Sequence, residues 1–597
     1  MIKKRFMPLE KMHRTTTSLA EQANWKQGLL LSRTPFLKNL SLLLIAALAC
    51  SSQAAEVDAG SLQQQIDRQQ RPKLPPVAQP LSAPKNDAVL PATGPLVTLQ
   101  AFKFEGHSKL SEKELSTLLA PYLGKSLSFA QLQAATIQVA DAYRDAGWIA
   151  KAFLPEQDIV DGIVRLQIVE AVFGEVLVNN PLPGAASTEK LKKIVLAQQG
   201  SGQLLNAKAV DRALLIADDI SGAYISGGMQ EGQKDGQTDL LLKLQGKPVY
   251  QGALTSDNTG SVATGQARFL GNVNVHNVLF SGDSLSTQLL STEGSKYIRL
   301  ASSVPVGYGG MRWGISASKL SYKVLQLEAD LAATGTSHTW GLESTYPIVR
   351  SRLQNLYLNA GLDAKKFRNI GGGEVTTAYK NKAMTLGLSG NLLDTLGGGG
   401  ANSANLTLTL GDLNLDGSPN AEEVAITTQT AGRYRKLRYA LSRQQTLSRE
   451  VSLMASVSGQ WANKNLDSSE KFYLGGSSGV RAYPSSEGGG ALGNLASLEL
   501  RWQATPATAW TGFVDIGRVV VNRNNQFTGA PATNEVALKG AGIAFNWQVQ
   551  NNLAVKTVWA RRRGTNPNAS VEVDKLGTDT DGTKVMNRFW ISANLDF

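Results

Sequence analysis

The chain has 597 residues, a formal net charge of +12 and a hydrophobic fraction of 42%, which is the fraction of a soluble protein. It is too long for one ordinary domain. An α-helical membrane protein needs apolar runs of about 20 residues, and the best run here covers only residues 40–49. The composition therefore excludes that class.

Residues 1–54 are predicted to be an extended signal peptide. The apolar run at 40–49 follows Arg33 and Lys38, and residues 52–54 (SQA) offer small residues at the two positions that a signal peptidase reads. Residues 1–40 contain eight basic and two acidic side chains, which is half of the net charge. The basic balance is therefore a poor argument for nucleic-acid binding, and no nucleic-acid partner is predicted.

Cys50 is the single cysteine and lies within this leader. Residues 47–50 (ALAC) loosely resemble a lipoprotein box, so lipidation of Cys50 stands as the alternative to ordinary cleavage after it. With ordinary cleavage the mature chain has neither a disulfide nor a reactive thiol. Such a product suits passage through an oxidising periplasm.

Residues 55–72 are predicted to form a short polar helix, because the segment LQQQIDRQQ at 62–70 consists of good helix formers and Pro72 ends it. Residues 73–96 contain six prolines and are predicted to be an extended linker. A short polar helix on a long tether cannot build a core. It is either a disordered tail or a detachable element that docks elsewhere in the protein.

Residues 97–170 and 171–247 are predicted to be two α+β units with the same order of elements, β-α-α-β-β. In the first unit Ser111 has the pattern of a helix N-cap, with Glu114 three residues later as in a capping box, and Ser128 is predicted to cap the second helix. The expected strands are 97–104, 149–155, 162–169, 173–178, 223–230 and 238–244, and the expected helices are 112–123, 129–146, 188–199 and 206–221. Neither unit contains a catalytic cluster.

From residue 248 to the C-terminus, helical periodicity gives way to alternation of apolar and polar residues, as at 406–410 and 498–502. At about 22 residues per strand with its connection, this region accommodates about 16 strands. Closing them into a barrel would satisfy every backbone group, which a lipid environment requires. The predicted fold class is therefore a transmembrane barrel of about 16 antiparallel strands behind two α+β units.

The last eleven residues, NRFWISANLDF at 587–597, alternate in the same way. The alternation places Phe589, Ile591, Ala593, Leu595 and Phe597 on one apolar face and Trp590, Ser592, Asn594 and Asp596 on a mostly polar face. About ten residues is the length that crosses an outer membrane when the strand is tilted. This segment resembles the closing strand of a bacterial outer-membrane barrel, where it serves as a membrane-assembly signature.

Two further motifs, FYLGGSSGVRAYP at 472–484 and GFVDIG at 512–517, occur in the barrel region. Together with the tandem units, which resemble POTRA domains, they resemble the two-partner secretion transporters (TpsB proteins), the group of haemolysin activators and the filamentous haemagglutinin transporter. The resemblance covers residues 57–597.

The resemblance implies a loop at about 472–493 that folds back into the barrel lumen. Its tip would carry Val480, Arg481 and Tyr483, and Arg481 would meet Asp515 on the inner wall, in a motif formed with Phe513 and Gly517. Those three wall positions share one face of a strand, and Gly517 would leave room for the loop. Ala482 stands where the family usually has Gly. From spacing alone, Arg481 could equally be a solvated loop residue and Asp515 a lumen charge without a partner.

In function, the resemblance implies an outer-membrane pore that passes one large exoprotein unfolded to the cell surface without ATP. The POTRA domains, in the periplasm, would bind that client, and the helix at 55–72 would plug the resting lumen. The remaining partners would be outer-membrane lipid and, during biogenesis, the outer-membrane assembly machinery and periplasmic chaperones. Two alternatives remain: an insertase of the same superfamily, which usually carries more POTRA units, and a passive porin.

A hydrolase is the least favoured alternative. GGSSG at 475–479 fits the G-x-S-x-G pattern around Ser477, but no amphipathic helix follows it and only four histidines exist in the chain. Neither a phosphate-binding loop nor a zinc motif of the HExxH type occurs. The sequence therefore predicts no catalytic residue, no cofactor and no metal site.

Overall fold

A computed structural model describes residues 58–69, 96–179, 181–182, 186–219, 223–325, 333–570 and 576–597. The predicted signal peptide and almost all of the predicted linker lie outside these ranges. The first described element is helix α1 (Ala59–Gln69), which falls within the predicted polar helix.

Within the described ranges, no helix is both long and apolar enough to cross a membrane.

The first α/β unit has the predicted β-α-α-β-β core with one additional short pair of strands. Both predicted N-caps are present. The predicted capping box of Ser111 with Glu114 is formed, and Ser128 forms a second one with Gln131. The elements are Leu96–Thr98 (β1), Ala101–Glu105 (β2), Glu112–Leu119 (α2), Ser126–Ser128 (β3), Phe129–Asp145 (α3), Ala150–Phe153 (β4) and Ile163–Glu170 (β5). Strand β5 lies between β2, which runs parallel to it, and β4, which runs antiparallel.

Two predicted elements of this unit differ from the structure. The single strand expected at 97–104 is two strands, because the chain turns at Leu99, whose N–H donates to the carbonyl of Lys125, and β1 then pairs with β3 rather than β5. The helix expected at 112–123 ends at Leu119 and continues as a 3₁₀ turn over Ala120–Tyr122, which contains Pro121. Proline cannot continue the hydrogen-bond ladder of an α-helix.

The second unit repeats the order. Its elements are Val172–Asn179 (β6), Thr188–Gln198 (α4), Ala207–Asp218 (α5), Ala223–Glu231 (β7) and Gln237–Gly246 (β8). Strand β8 lies in the middle of the sheet, parallel to β6 and antiparallel to β7. Helices α4 and α5 cover one face, and their buried side chains, among them Ile194 and Ile216, form the core with Phe173 and Leu242.

Sixteen antiparallel strands then close into a barrel, which confirms the predicted fold class. They are Tyr250–Asp257 (β9), Arg268–His276 (β10), Ser284–Ser291 (β11), Ser295–Val306 (β12), Met311–Lys323 (β13), Ala333–Arg350 (β14), Gln354–Gly371 (β15), Glu374–Asp394 (β16), Gly400–Asn414 (β17), Gly432–Thr446 (β18), Val451–Ala462 (β19), Leu492–Thr505 (β22), Thr508–Val520 (β23), Glu535–Gln550 (β24), Leu553–Arg562 (β25) and Asn587–Asp596 (β26).

The loop between β19 and β22 contains a short hairpin of Phe472–Tyr473 (β20) and Gly489–Gly490 (β21). A short helix, Ala421–Ile426 (α6), lies in the connection between β17 and β18.

The two ends of the barrel differ in their connections. The end that adjoins the α/β units, called here the near end, has short turns such as 506–507 and 551–552, whereas the opposite, far end has long loops such as 463–491 and 563–586. Phe597 also lies at the near end, where its N–H and carbonyl pair with the backbone of Gly252. Outer-membrane barrels have short turns on the periplasmic side and long loops outside.

The alternation of each strand separates an inner from an outer face. Phe589 and Phe597 point outward and are 55% and 52% exposed, and rows of outward leucines such as Leu408 and Leu410 are exposed as well. Inward positions are polar or aromatic, as in porin-like barrels. Strand β26 closes on β9 through only five residue pairs, whereas the other neighbouring strands share at least eight.

Candidate functional site in the barrel lumen

The long loop at 463–491 folds back against the inner wall. Leu474, Val480, Ala482 and Tyr483 are fully buried, and they pack with inward side chains of β23 to β26. A Cβ added at Gly517 would lie 2.6 Å from Leu474, so glycine is needed there for the loop to approach the wall. The structure therefore places the tip segment and the wall motif in contact.

Arg481 and Asp515 form a bidentate ion pair. Nε of Arg481 donates to one carboxylate oxygen of Asp515 at 2.8 Å, and Nη2 donates to the other at 2.6 Å. The Arg481 side chain is 7% exposed and that of Asp515 is fully buried. Charge-assisted pairs with two parallel bonds are directional as well as strong. The pair joins the loop tip to the middle of β23 across 34 residues of sequence.

Arg481 has further partners on the same wall. Its Nη1 lies 2.8 Å from a carboxylate oxygen of Glu499, and its Nη2 donates to the hydroxyl of Ser497 at 3.0 Å. The guanidinium carbon lies 3.4 Å from the ring centroid of Phe513, a cation–π contact. Sequence reasoning missed Glu499, although its place between the outward Leu498 and Leu500 already predicts an inward side chain.

A third contact comes from the closing strand. The indole N–H of Trp590 donates to the carbonyl of Arg481 at 2.8 Å, and Trp590 is 6% exposed. The side chain of Tyr483 packs nearby, with the guanidinium carbon of Arg562 5.8 Å from its ring centroid. Strands β22, β23 and β26 thus all hold one arginine.

The loop has a second anchor toward the far end. Glu487 is fully buried, and its carboxylate accepts hydrogen bonds from the Asn568 side chain at 2.6 Å and from the N–H of Thr580 at 2.9 Å. Both donors belong to the loop between β25 and β26. No pattern in the sequence singles out Glu487.

Helix α1 lies inside the barrel, between the folded-in loop and the wall of β13 to β16. Its N-terminal N–H, on Ala59, donates to the Asn369 side chain at 2.9 Å, and Asp58 accepts from the Ser468 hydroxyl at 2.9 Å. Leu62 and Ile66 are buried in one cluster with inward wall residues such as Phe367. Because Asn369 is near the far end of β15, the helix enters with its N-terminus toward that end.

Charged groups join helix α1, the wall and the loop. The Lys365 ammonium lies 3.2 Å from Asp67 of the helix and 3.6 Å from Glu470 of the loop. Glu470 is also ion-paired with Lys436 on the wall. At the other side of the helix, Arg68 donates to the loop carbonyl of Tyr473 at 2.7 Å and that of Ser478 at 2.9 Å. Polar and charged groups of both the wall and the loop therefore bind the helix in the lumen.

The second α/β unit is fastened to the near end. Arg350 makes two hydrogen bonds to the carboxylate of Asp219, at 2.9 and 2.8 Å, and Arg352 makes one to Asp211 at 2.7 Å. The Lys190 ammonium donates to the carbonyl of Ser281 at 2.7 Å. Contacts at two near-end turns thus hold the second α/β unit against the mouth of the barrel.

In the first α/β unit, Glu170 joins two segments. Its carboxylate accepts from the Ser108 and Lys109 N–H groups and from the Tyr143 hydroxyl. Burial on its own would raise the pKa of this carboxyl, but these hydrogen bonds outweigh burial and hold the pKa below its ordinary value.

Ser477 lies in the folded-in loop beside Gln64 and Arg68 of helix α1. His107, His276 and His338 lie respectively in the first α/β unit, in β10 and in β14, so none of them belongs to that loop. Across the part of the chain that the structure describes, no group of three or more histidine, cysteine or acidic side chains is arranged to hold a metal ion.

A sixteen-stranded barrel with an outward apolar face, short near-end turns and α/β units at that end defines an outer-membrane β-barrel protein. A family model described as haemolysin secretion/activation protein ShlB/FhaC/HecB matches residues 236–545, and a model of the ShlB-type POTRA domain matches residues 97–171. The chain belongs to the ShlB/FhaC/HecB family of haemolysin secretion/activation proteins. It is thus an outer-membrane transporter for exported proteins, with its near end in the periplasm.

Two curated relatives extend over most of the chain. The heme/hemopexin transporter protein HuxB of Haemophilus influenzae (strain 86-028NP) is 25% identical over 511 residues, 82% of this chain and 88% of HuxB. The outer membrane transporter CdiB of Dickeya dadantii (strain 3937) is 23% identical over 496 residues, 81% of this chain and 86% of that protein.

Two solved structures share the fold. CdiB from Escherichia coli superposes with a TM-score of 0.66 at 18% identity, covering 92% of this chain and all of that one. BamA from Haemophilus ducreyi, lacking POTRA domains 1–3, gives a TM-score of 0.51 at 15% identity and covers 84% of this chain and all of that one. At these identities the likeness concerns the fold alone.

Proposed function

We propose that this chain is the pore of a two-partner secretion system that carries one large exoprotein, an adhesin, a haemolysin or a contact-dependent toxin, unfolded to the cell surface. The observation that carries the proposal is helix α1, which fills the lumen yet belongs to no core of its own. Barrels of 16 strands enclose an aqueous channel when nothing fills them. Departure of α1 would open such a channel.

The geometry supports a plug that leaves toward the periplasm. Its C-terminal end points to the near end, and residues 70–95 connect it to the first α/β unit. Fully extended, a segment of this length reaches about 85 Å, more than the thickness of a membrane of about 45 Å. The plug can therefore clear the lumen while it stays covalently attached.

The α/β units are the receiving site for the client. Among the described residues, strand β7 of the second unit pairs with β8 alone, so one edge of its backbone is open to a further strand. Natural edge strands are usually blocked by lysine, proline or a bulge, and AYISGGMQE at 223–231 contains neither residue. We assign strand addition along β7 as the contact mode, since main-chain bonds can recognise an unfolded client of varied sequence.

Two further features belong to this proposal. The Arg481–Asp515 pair acts as a latch that holds the folded-in loop in place, since it joins the loop tip to the wall. Transport uses no ATP and no catalytic residue of this chain, and folding of the emerging client outside the cell gives the direction. During biogenesis, periplasmic chaperones and the assembly machinery would recognise the C-terminal strand that ends at Phe597.

An insertase of the same superfamily is the rival function. The plug favours secretion, because a channel for a soluble client must be closed at rest. A passive porin has no use for the α/β units that sit at the near end of this barrel.

The test is a reversible tether between plug and loop. A Cβ added at Gly60 would lie 2.6 Å from the Ser468 hydroxyl oxygen, so cysteines at both positions are close enough for a disulfide. The Gly60→Cys/Ser468→Cys protein should secrete its client only after reduction, while Ser468→Cys alone should secrete under both conditions. Unimpaired secretion by the fully oxidised tether would refute the plug and with it this route of transport.

A further inference from the structure

The outer face of the barrel carries a cluster of basic side chains at the far end of strands β13 to β18. All six side chains are exposed and alternate along their strands with inward neighbours that are buried or half-buried. They are Lys319, His338, Lys366, Lys380, Lys382 and Arg433, and they are called here the basic wall patch. We propose that the basic wall patch binds the phosphate groups of a phosphorylated glycolipid in the outer leaflet of the membrane.

The register of the strands makes the patch continuous. Lys319 pairs directly with His338, His338 with Lys366, and Lys366 with Lys380. Directly opposed residues on one face of a sheet have Cβ atoms about 5 Å apart, and like charges there repel. Four strands thus present a row of basic side chains that an anion between them would stabilise.

The depth of the patch matches lipid headgroups. On β16 the outward apolar residues run from Leu392 to Met384. At about 3.3 Å per residue and a tilt of about 40°, that stretch covers about 20 Å of the membrane normal, most of an apolar band of about 25 Å. The next outward residues, Lys382 and Lys380, then lie about 5 and 10 Å above Met384, in the headgroup layer.

Within the described part of the chain, no carboxylate lies in register with Lys319, His338, Lys366 or Lys380. The one acidic residue in register with it, Asp412, lies opposite Lys382 and Arg433 but forms an ion pair with neither. The periplasmic end of the same wall differs. There the outward Arg443 is paired with Asp394 through bonds of 2.7 and 3.0 Å.

This asymmetry points to the lipid. A phosphate of the outer leaflet can supply the missing negative charge at the far end, and Lys and Arg near a membrane surface are attracted to anionic headgroups. An aromatic side chain, Trp340, is 68% exposed on the same face two residues below His338, as expected at the membrane interface. A protein partner would not require the patch to follow the depth of the headgroups.

The experiment uses the full-length transporter in detergent and hexa-acylated, bis-phosphorylated lipid A as the probe, with binding followed by native mass spectrometry. Lys366→Gln/Lys380→Gln should weaken binding about twenty-fivefold, about fivefold for each lysine. Lys366→Arg/Lys380→Arg should bind as the wild type does. A matched control, Lys113→Gln/Lys234→Gln, removes the same charge from exposed sites in the α/β units and should change nothing.

Three results would overturn the proposal. Wild-type affinity in the Gln double variant would show that the patch is not the site. Equal binding of the same lipid after removal of its phosphates would assign the binding to acyl chains. Displacement of lipid A by an equal concentration of inorganic phosphate would indicate a site for any free anion. A shift in gel mobility on heating verifies beforehand that each variant has a closed barrel.

Discussion

Replacing Arg481 with Ala is expected to destabilise the loop more than replacing Asp515 with Ala. Without Arg481, the fully buried Asp515 keeps only the Ser497 hydroxyl and a backbone N–H as donors. An uncompensated buried charge costs about 3–5 kcal/mol. Without Asp515, Arg481 still has Glu499 at 2.8 Å, and the loss is that of charge-assisted hydrogen bonds, about 2–3 kcal/mol.

The double variant distinguishes a pair from two independent residues. Arg481→Ala/Asp515→Ala leaves no unpaired buried carboxylate at position 515. The double variant should therefore be less stable than the wild type by about 2–3 kcal/mol rather than by the sum of the single effects. Unfolding in urea, followed by tryptophan fluorescence, gives the free energies, and secretion of the client gives the function. Arg501→Ala is the matched control, since Arg501 lies on the neighbouring strand β22 and its guanidinium donates to the side chain of Gln503.

Additive losses in the double variant, or a greater loss for Asp515→Ala than for Arg481→Ala, would refute this reasoning. The first result would mean that the two side chains act separately. The second would mean that Glu499 does not compensate Arg481. All four variants should still reach the outer membrane, because the backbone bonds of the barrel do not involve these side chains.

Three other predictions concern helix α1, Trp590 and Glu170. Deleting residues 58–69 should enlarge the resting conductance in a planar bilayer while secretion continues, and an unchanged conductance would argue against the plug. Trp590→Phe removes one buried hydrogen bond to the loop tip and should cost about 1 kcal/mol in the urea assay, clearly less than Arg481→Ala; an equal loss would contradict the ranking. Because the folded-state pKa of Glu170 is lowered, its bonds should stabilise the first α/β unit above the ordinary carboxyl pKa and lose that effect as the pH falls through the lowered value, so Glu170→Gln should flatten the acid limb of the unfolding profile, and an unaltered limb would contradict the prediction.

The sequence determined much of this fold in advance, for physical reasons. Apolar and polar side chains alternate over about ten residues at 587–597, which indicates a strand long enough to cross a membrane. In lipid such a strand satisfies its backbone groups only within a closed barrel. The N-caps at Ser111 and Ser128 are local signals, so they could be predicted from the sequence. The strand at 97–104 was wrong because its break at Leu99 depends on a bond to Lys125, which is distant in sequence.

The candidate site was harder to predict from the sequence than the fold. Alternation alone predicts that Asp515 faces inward. Only the family resemblance pairs it with Arg481, because a contact between a folded-back loop and the wall leaves no periodic pattern in the sequence. Glu487 and Trp590 were missed for the same reason: their partners, at 568, 580 and 481, lie in other loops. The sequence placed Trp590 on the mostly polar face of the closing strand. A large aromatic side chain on that face was the available signal of a buried contact.

If α1 leaves the lumen as proposed, the position of Lys365 makes that release reversible. This ammonium is shared between Asp67 on the plug and Glu470 on the loop. When α1 leaves, Asp67 enters water and Lys365 keeps Glu470, so the vacated part of the lumen is not left with an unneutralised cation whose desolvation would have to be overcome. Opening then costs mainly the apolar contacts of Leu62 and Ile66 with the wall, and closing restores them. A channel of this kind can reseal after each client without repair, which protects the periplasm from leakage between rounds of secretion.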